Sequence, residues 1–198
     1  LPLLIVIWQN LRENNLMLND EIYISVDIEA DGPIPGENSM LSLGAAAIKN
    51  GQIIDTFSVN FDLLPNANQD SSTMLFWKSF PEAYNQSRIG TVQPTIGMMK
   101  FSNWVKVIRG VPVFVAYPVA FDWSFANWYF HKFIGENPFS FAGMDIWSYA
   151  MAKMNTNFWG VSKTKMDKIW PIEYVNPMKH IAVNDAIEQA HLFIEMTK

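Results

Sequence analysis

The chain contains no cysteine, which removes disulfides, thiol nucleophiles and cysteine-ligated zinc, and which fits a reducing compartment such as the cytoplasm. Charge is scarce as well: 17% of residues are Asp, Glu, Lys or Arg, and the formal balance is −5. That balance disfavours a protein that coats nucleic acid through a broad basic surface. It leaves room for an enzyme that grips a few phosphates through metal ions. With only three histidines and no thiol, a structural zinc site is not expected. No apolar run is long enough to span a bilayer, so no membrane partner is expected. The nearest approach, Leu1 to Trp8, lacks the basic flank and small-residue cleavage site of a secretory signal. Internal repeats, low-complexity segments, a phosphate-cradling glycine loop and a Gly-x-Ser-x-Gly elbow are missing too.

What remains is an apolar fraction of 49% in 198 residues, enough for one domain with a sizeable core. Residues 1–16 read either as a tail ahead of a natural start at Met17 or as an element packed on the domain, with residues 17–198 as the domain itself. Eight Trp and fourteen Phe exceed ordinary core needs, so some are expected at a subunit interface or a stacking surface, and a homodimer is expected.

The organising stretch is Glu21 to Gly32. Ile22, Ile24, Val26 and Ile28 alternate with Tyr23, Ser25, Asp27 and Glu29, the period of a strand, so two carboxylates share one face at its end. Such a pair repels itself and is costly to desolvate. It must be solvated, share a proton or hold a cation, and a cation is expected. The turn Gly32-Pro33-Ile34-Pro35-Gly36 ends the strand and sets both acids at its carboxyl end, where open α/β sheets place ligands.

Met40–Ile48 and Ile53–Asn60 read as the next two strands, joined at Asn50-Gly51, a strong hairpin signal. Helical spacing follows over Thr73–Arg88 and Gln93–Ile108. Val111–Tyr117 reads as a buried strand, after which the apolar residues keep helical spacing to Gly135, with Asp122 near the start of that helix. Phe139–Met144 reads as a further strand, and Asp145 as the cap of a helix over Ile146–Met154. Residues 155–176 are mixed, and Lys163, Lys165 and Lys168 there fit a solvated loop or a phosphate contact. A last helix runs to about Met196. His180 and Asp185 meet only if His180 lies on its lead-in and Asp185 in its first turn, because five residues along a helix separate side chains by about 140°. Each acid has a bland reading, as an N-cap, a first-turn charge or a solvated edge.

In order along the chain, Asp27-x-Glu29, Asp122 after a buried strand, and His180-x-x-x-x-Asp185 at a final helix resemble the DEDDh family of 3′-to-5′ exonucleases over roughly residues 20–197. The stretch Thr73-Met74-Leu75-Phe76-Trp77-Lys78 with Pro81-Glu82-Ala83 is similar to a small stand-alone bacterial branch with exoribonuclease-like activity. The resemblance implies an α/β, RNase H-like fold, with a mixed five-stranded central sheet flanked by helices. It also implies two divalent ions, Mg²⁺ or Mn²⁺, on Asp27, Glu29, Asp122 and Asp185, with His180 as the general base for the attacking water. The implied substrates are single-stranded 3′ ends, RNA favoured, with DNA trimming or a non-catalytic binding protein as alternatives. Met40 and Leu41 are candidates to wedge against the terminal base, and Phe76, Trp77 and Trp123 to stack on it; a core role suits each equally. Two positions depart from the family pattern: Ala30 stands where Thr is usual after the first Glu, and Pro118 where Asn is common before the second Asp.

Overall fold

The computed structural model describes residues 21–198, so the expectation for residues 1–16 lies outside the described residues. The sheet begins with β1 (Glu21–Ala30), β2 (Met40–Lys49) and β3 (Gln52–Asn60). The helices α1 (Ser71–Trp77), α2 (Pro81–Ser87) and α3 (Pro94–Val107) follow, then β4 (Val111–Ala116), α4 (Val119–Phe133), β5 (Gly143–Asp145) and α5 (Ile146–Lys153). A 3₁₀ turn at Phe158–Gly160, α6 (Lys163–Ile169) and α7 (Ala182–Thr197) complete the chain. The strands form one five-stranded sheet in the order β3-β2-β1-β4-β5. The first three pair antiparallel, and β4 and β5 run parallel to β1 and β4 respectively. This is the mixed sheet of the RNase H-like fold.

The alternation in β1 separates two cores. Ile22, Ile24, Val26 and Ile28 pack with Phe101, Val105, Phe125, Tyr129 and Phe130 of α3 and α4. On the opposite face, Ala46, Ile48 and Val115 pack with Ile146 and Ala150 of α5 and with Ala190, Phe193 and Ile194 of α7. Asp27 and Glu29 continue the α7 face, since side chains repeat every two residues along a strand. The hairpin turn has Asn50 and Gly51 both at positive φ, 51° and 70°, the backbone a type I′ turn requires.

Several expected elements shift. The helix expected over 73–88 starts earlier, where the Asp70 side chain accepts from Thr73 N–H, and it breaks before Pro81 into α1 and α2, because proline cannot donate into a continuing helix. The strand expected over 139–144 is confined to Gly143–Asp145, the residues that pair with Phe114–Ala116. The lysine-rich stretch is a helix, α6, opened by the Ser162 side chain and anchored by buried Met166. Among the described residues, no helix is long and apolar enough to cross a membrane.

Gly44 decides how closely α7 can approach the acidic end of β1. It is the β2 partner of Asp27, and a Cβ built there would overlap the backbone of Ala182 and Val183. The helix start therefore rests directly on the sheet beside Asp27. Gly44→Ala is expected to cost about 1–3 kcal/mol of overpacking in urea unfolding. An unchanged unfolding midpoint would contradict this packing.

Candidate active site

Two helices, α7 and α4, converge on the carboxyl end of β1. The Ser25 hydroxyl donates to Ala186 O at 2.9 Å, fastening α7 to the strand two residues before Asp27. Asp185 lies in the first turn of α7, and Gln189, one turn later, donates from Nε2 to Asp27 Oδ1 at 2.7 Å. On the other side, α4 starts just beyond β4, which brings Asp122 in its first turn against β1, where Asp122 Oδ1 accepts from Ile28 N–H at 2.9 Å. Asp145 holds that helix start in place: its carboxylate accepts from Val119 N–H at 3.1 Å while also capping α5 through Ser148 N–H at 2.9 Å. Capping was the role the sequence assigned to it, and it serves two helices. Asp27, Glu29, Asp122, Asp185 and His180 all line one cleft of about 460 Å³.

Burial and mutual repulsion set the charge state of this cleft. Asp27 is held well above the usual carboxylate range, first by burial and then by the charges of Asp122, Glu29 and Asp185. Asp122 is pushed up to about 8, mainly by burial, with the Ile28 N–H opposing. Burial also raises Glu29 and Asp185, against stabilising contacts from His180 and, at Asp185, from Asn176. Asp27 Oδ2 is buried and has no hydrogen-bond partner among the described residues. Buried carboxylate oxygens are ordinarily paired, so this oxygen marks a place for a proton or a cation.

His180 sits on the lead-in to α7 with φ at +63°, in the left-handed region that non-glycine residues rarely occupy. That turn lets its backbone N–H donate to Asp185 Oδ2 at 2.7 Å, so the two residues meet across the five-residue interval. Its Nδ1 lies 3.5 Å from Glu29 Oε1, a contact that raises the imidazole's affinity for a proton. Glu29, His180 and Asp185 each offer a ligand atom, all within 4.8 Å of one another. Asn176 braces the cluster, donating to Asp185 Oδ1 at 2.6 Å and to Glu188 Oε2 at 2.9 Å.

The candidate base-reading residues divide. Phe76 is 42% exposed and meets the His180 ring edge-on at 4.9 Å, so it stands at the site. Trp77 is buried, its indole N–H donating to Ala30 O at 3.0 Å, and Met40 and Leu41 are fully buried. Trp123 is half-buried and packs edge-on against Phe114 at 5.1 Å. In this conformation Phe76 offers a base an exposed ring, and Met40, Leu41 and Trp77 belong to the core. Of the two departures, Ala30 is buried, while Pro118 caps α4 and lines the cleft. Gln189, Asn176, Tyr117 and Phe121 escaped sequence reading. Only Gln189 carried a signal there, four residues after Asp185 on one helix face.

No family model matches the chain. The 3′-5′ DNA exonuclease Cap18 of Escherichia coli is 31% identical over 179 residues, covering 87% of this chain and 90% of its own length. Among solved structures, the nuclease domain of 3′hExo, a DEDDh family member bound to rAMP, matches with a TM-score of 0.68 at 14% identity, over 91% of this chain and 94% of that one. Pop2p of S. pombe, in a form with Mg²⁺ and Mn²⁺ bound, matches with a TM-score of 0.60 at 13% identity, over 96% and 85% of the two chains. The structural likenesses show the shared fold. Together with the ordered acids and histidine gathered in one cleft, the relationship to the E. coli enzyme means that this chain belongs to the DEDDh family of 3′-5′ exonucleases.

Proposed function

We propose that this chain, as a domain over residues 17–198, removes nucleotides from the 3′ ends of single-stranded nucleic acid in the cytoplasm, using two divalent ions held by Asp27, Glu29, Asp122 and Asp185. The observation that carries the reading is the buried, unpartnered Asp27 Oδ2 in a cleft that Glu29, Asp122 and Asp185 also line. A hard, all-oxygen donor set of this kind fits Mg²⁺ or Mn²⁺. Bound there, the ions supply charge neutralisation and Lewis-acid polarisation of the scissile phosphate.

The chain's own groups position and move protons around that phosphate. Gln189 orients the Asp27 carboxylate through its 2.7 Å hydrogen bond, and Ile28 N–H orients Asp122. With Nδ1 turned to Glu29, His180 has Nε2 left to accept a proton from the attacking water. A cation held at Glu29 would offset that carboxylate's pull on the imidazole and favour the neutral form a base needs. Lys163 and Lys179 stand in the cleft wall, both paired with Glu188, where they can meet the departing strand's phosphates.

The sequence favours RNA, through its likeness to an exoribonuclease-like branch. A second reading, DNA, is favoured by the name of the E. coli relative. Contacts to the 2′-hydroxyl separate the two substrates, so matched RNA and DNA oligomers decide between them.

In assays with 5′-labelled RNA and DNA of equal sequence, a ladder shortening from the 3′ end is expected in Mg²⁺ or Mn²⁺ and none in EDTA. His180→Ala is expected to lower kcat about 10²- to 10⁴-fold, the usual share of a general base, and Asp27→Asn to abolish the metal-dependent ladder. Cleavage that survives in EDTA, or in Asp27→Asn, would refute the metal reading. The protein is also expected to scatter light as a homodimer, at twice the 22.6 kDa of one chain.

The raised carboxylates give a stability test that needs no substrate. Because Asp122 keeps its proton in the fold up to about pH 8 but releases it near 4 when unfolded, the folded state binds more protons between those values, and stability falls as pH rises. His180, raised as well, has the same sign. The EDTA-treated protein is therefore expected to melt lower at pH 8 than at pH 5, and Mg²⁺ to raise Tm more at pH 8. Asp122→Asn is expected to flatten both trends; a Tm of the metal-free protein that climbs from pH 5 to pH 8 would count against the buried-acid account.

A further inference from the structure

A file of aromatic rings runs from the rim of the catalytic cleft to open solvent. Tyr117, which lines the cleft, stacks on Trp147 with centroids 5.5 Å apart and planes inclined by 15°. Trp147 meets Phe158 at 5.8 Å, and Phe158 meets Trp159 edge-on at 5.2 Å. Trp159 is 86% exposed. The turn that presents it is tied down, because Trp147 Nε1–H donates to Phe158 O at 2.8 Å and Gly160 N–H donates to Asn157 O at 2.9 Å. An indole held outward by its neighbours contributes little to the core, although a Trp is costly to leave in water.

Positive charge lies beside it. Lys165 Nζ donates to Gly160 O at 2.6 Å, at the turn that carries Trp159. Lys168 is three residues further along α6, hence on the same helix face, and is exposed. The acids nearby are already matched: Lys163 pairs with Asp167 and with Glu188. Lys165 and Lys168 have no acidic partner among the described residues, in a chain whose overall charge is −5.

We infer that Phe158–Lys168 is a track for the single strand upstream of the scissile bond, in which Trp159 stacks on a base and Lys165 and Lys168 contact phosphates. The inference rests on the reading that the 3′ end occupies the cleft. Exposed rings on which bases can stack, with lysines beside them for the backbone, are the two features by which single strands are held without sequence preference. A nucleic-acid strand matches both at once, and the ring file joins this surface to the cleft it must reach. A second copy of the chain, itself acidic, matches the rings alone.

The test compares the wild type, Trp159→Ala, Trp159→Phe and the double variant Lys165→Ala/Lys168→Ala on two substrates. One is the p-nitrophenyl ester of thymidine 5′-monophosphate, which occupies only the cleft, and the other is a 20-nucleotide single strand. For Trp159→Ala and the double lysine variant, ester turnover is expected within about twofold of wild type, and KM for the 20-mer raised about tenfold or more. Trp159→Phe is expected to recover most of the loss, which a merely structural defect would not predict. The lysine variant is expected to flatten the slope of log affinity against log salt by about 1.4, the share of two phosphate contacts on a single strand. Ester turnover together with an unchanged 20-mer KM in both Trp159→Ala and the lysine variant overturns the track and leaves the cleft assignment standing. Light scattering in which Trp159→Ala turns a dimer into a monomer, with the 20-mer KM unmoved, overturns it in favour of a copy contact. A wild type that turns over neither substrate overturns the cleft assignment first, and the track with it.

Discussion

Asp27, Glu29, Asp122 and Asp185, brought together in one cleft, repel one another, and the rest of the structure is arranged to hold them there. Each is anchored through a group that does not neutralise it fully: Asp122 by Ile28 N–H, Asp27 by Gln189, Asp185 by Asn176 and the His180 N–H, and Glu29 by the His180 ring. Neutral donors fix direction without removing charge, so Asp27 and Asp122 remain displaced toward protonation. An arginine at the centre would have satisfied the charge and closed the site. The unpartnered Asp27 Oδ2 is what that choice leaves behind.

The scaffold converts this local tension into geometry. Alternation in β1 directs Asp27 and Glu29 to the α7 face, Gly44 lets the start of α7 settle onto the sheet, and Ser25 fastens it there. Asp145, distant in sequence from every acid of the cleft, fixes the N-terminus of α4 and with it Asp122. The site is thus built from the ends of regular elements whose own packing is apolar, so its polar groups are held by cores on both faces of the sheet. Beyond Tyr117 a file of rings leads away from the cleft through half-buried Trp147 to Phe158 and Trp159, which the turn at Phe158–Gly160 holds exposed.

The periodic features were legible in the sequence. The two-residue alternation of β1, the Asn50-Gly51 turn and the proline-opened α3 each depend on local rules, and each stands in the fold as read. The short strand β5 and the short helix α6 were not legible at their true bounds, because three residues of pairing to β4 and one buried Met166 define them. Substrate-facing candidates were harder still. Met40, Leu41 and Trp77 have the same composition as wedge residues, and only burial separates the two roles. Asn176 reaches the site through loop geometry, which leaves no periodic trace, and Tyr117 through its place just beyond the end of β4.

The central claim is that these four carboxylates form one cation-binding centre. Crystals grown in Mn²⁺, with diffraction recorded at the manganese absorption edge, test it most directly, because anomalous scattering locates the ions independently of any activity. The account predicts two peaks within the cleft, bounded by Asp27, Glu29, Asp122 and Asp185. A cleft without a peak at saturating Mn²⁺, its carboxylates arranged as they are here, would contradict it.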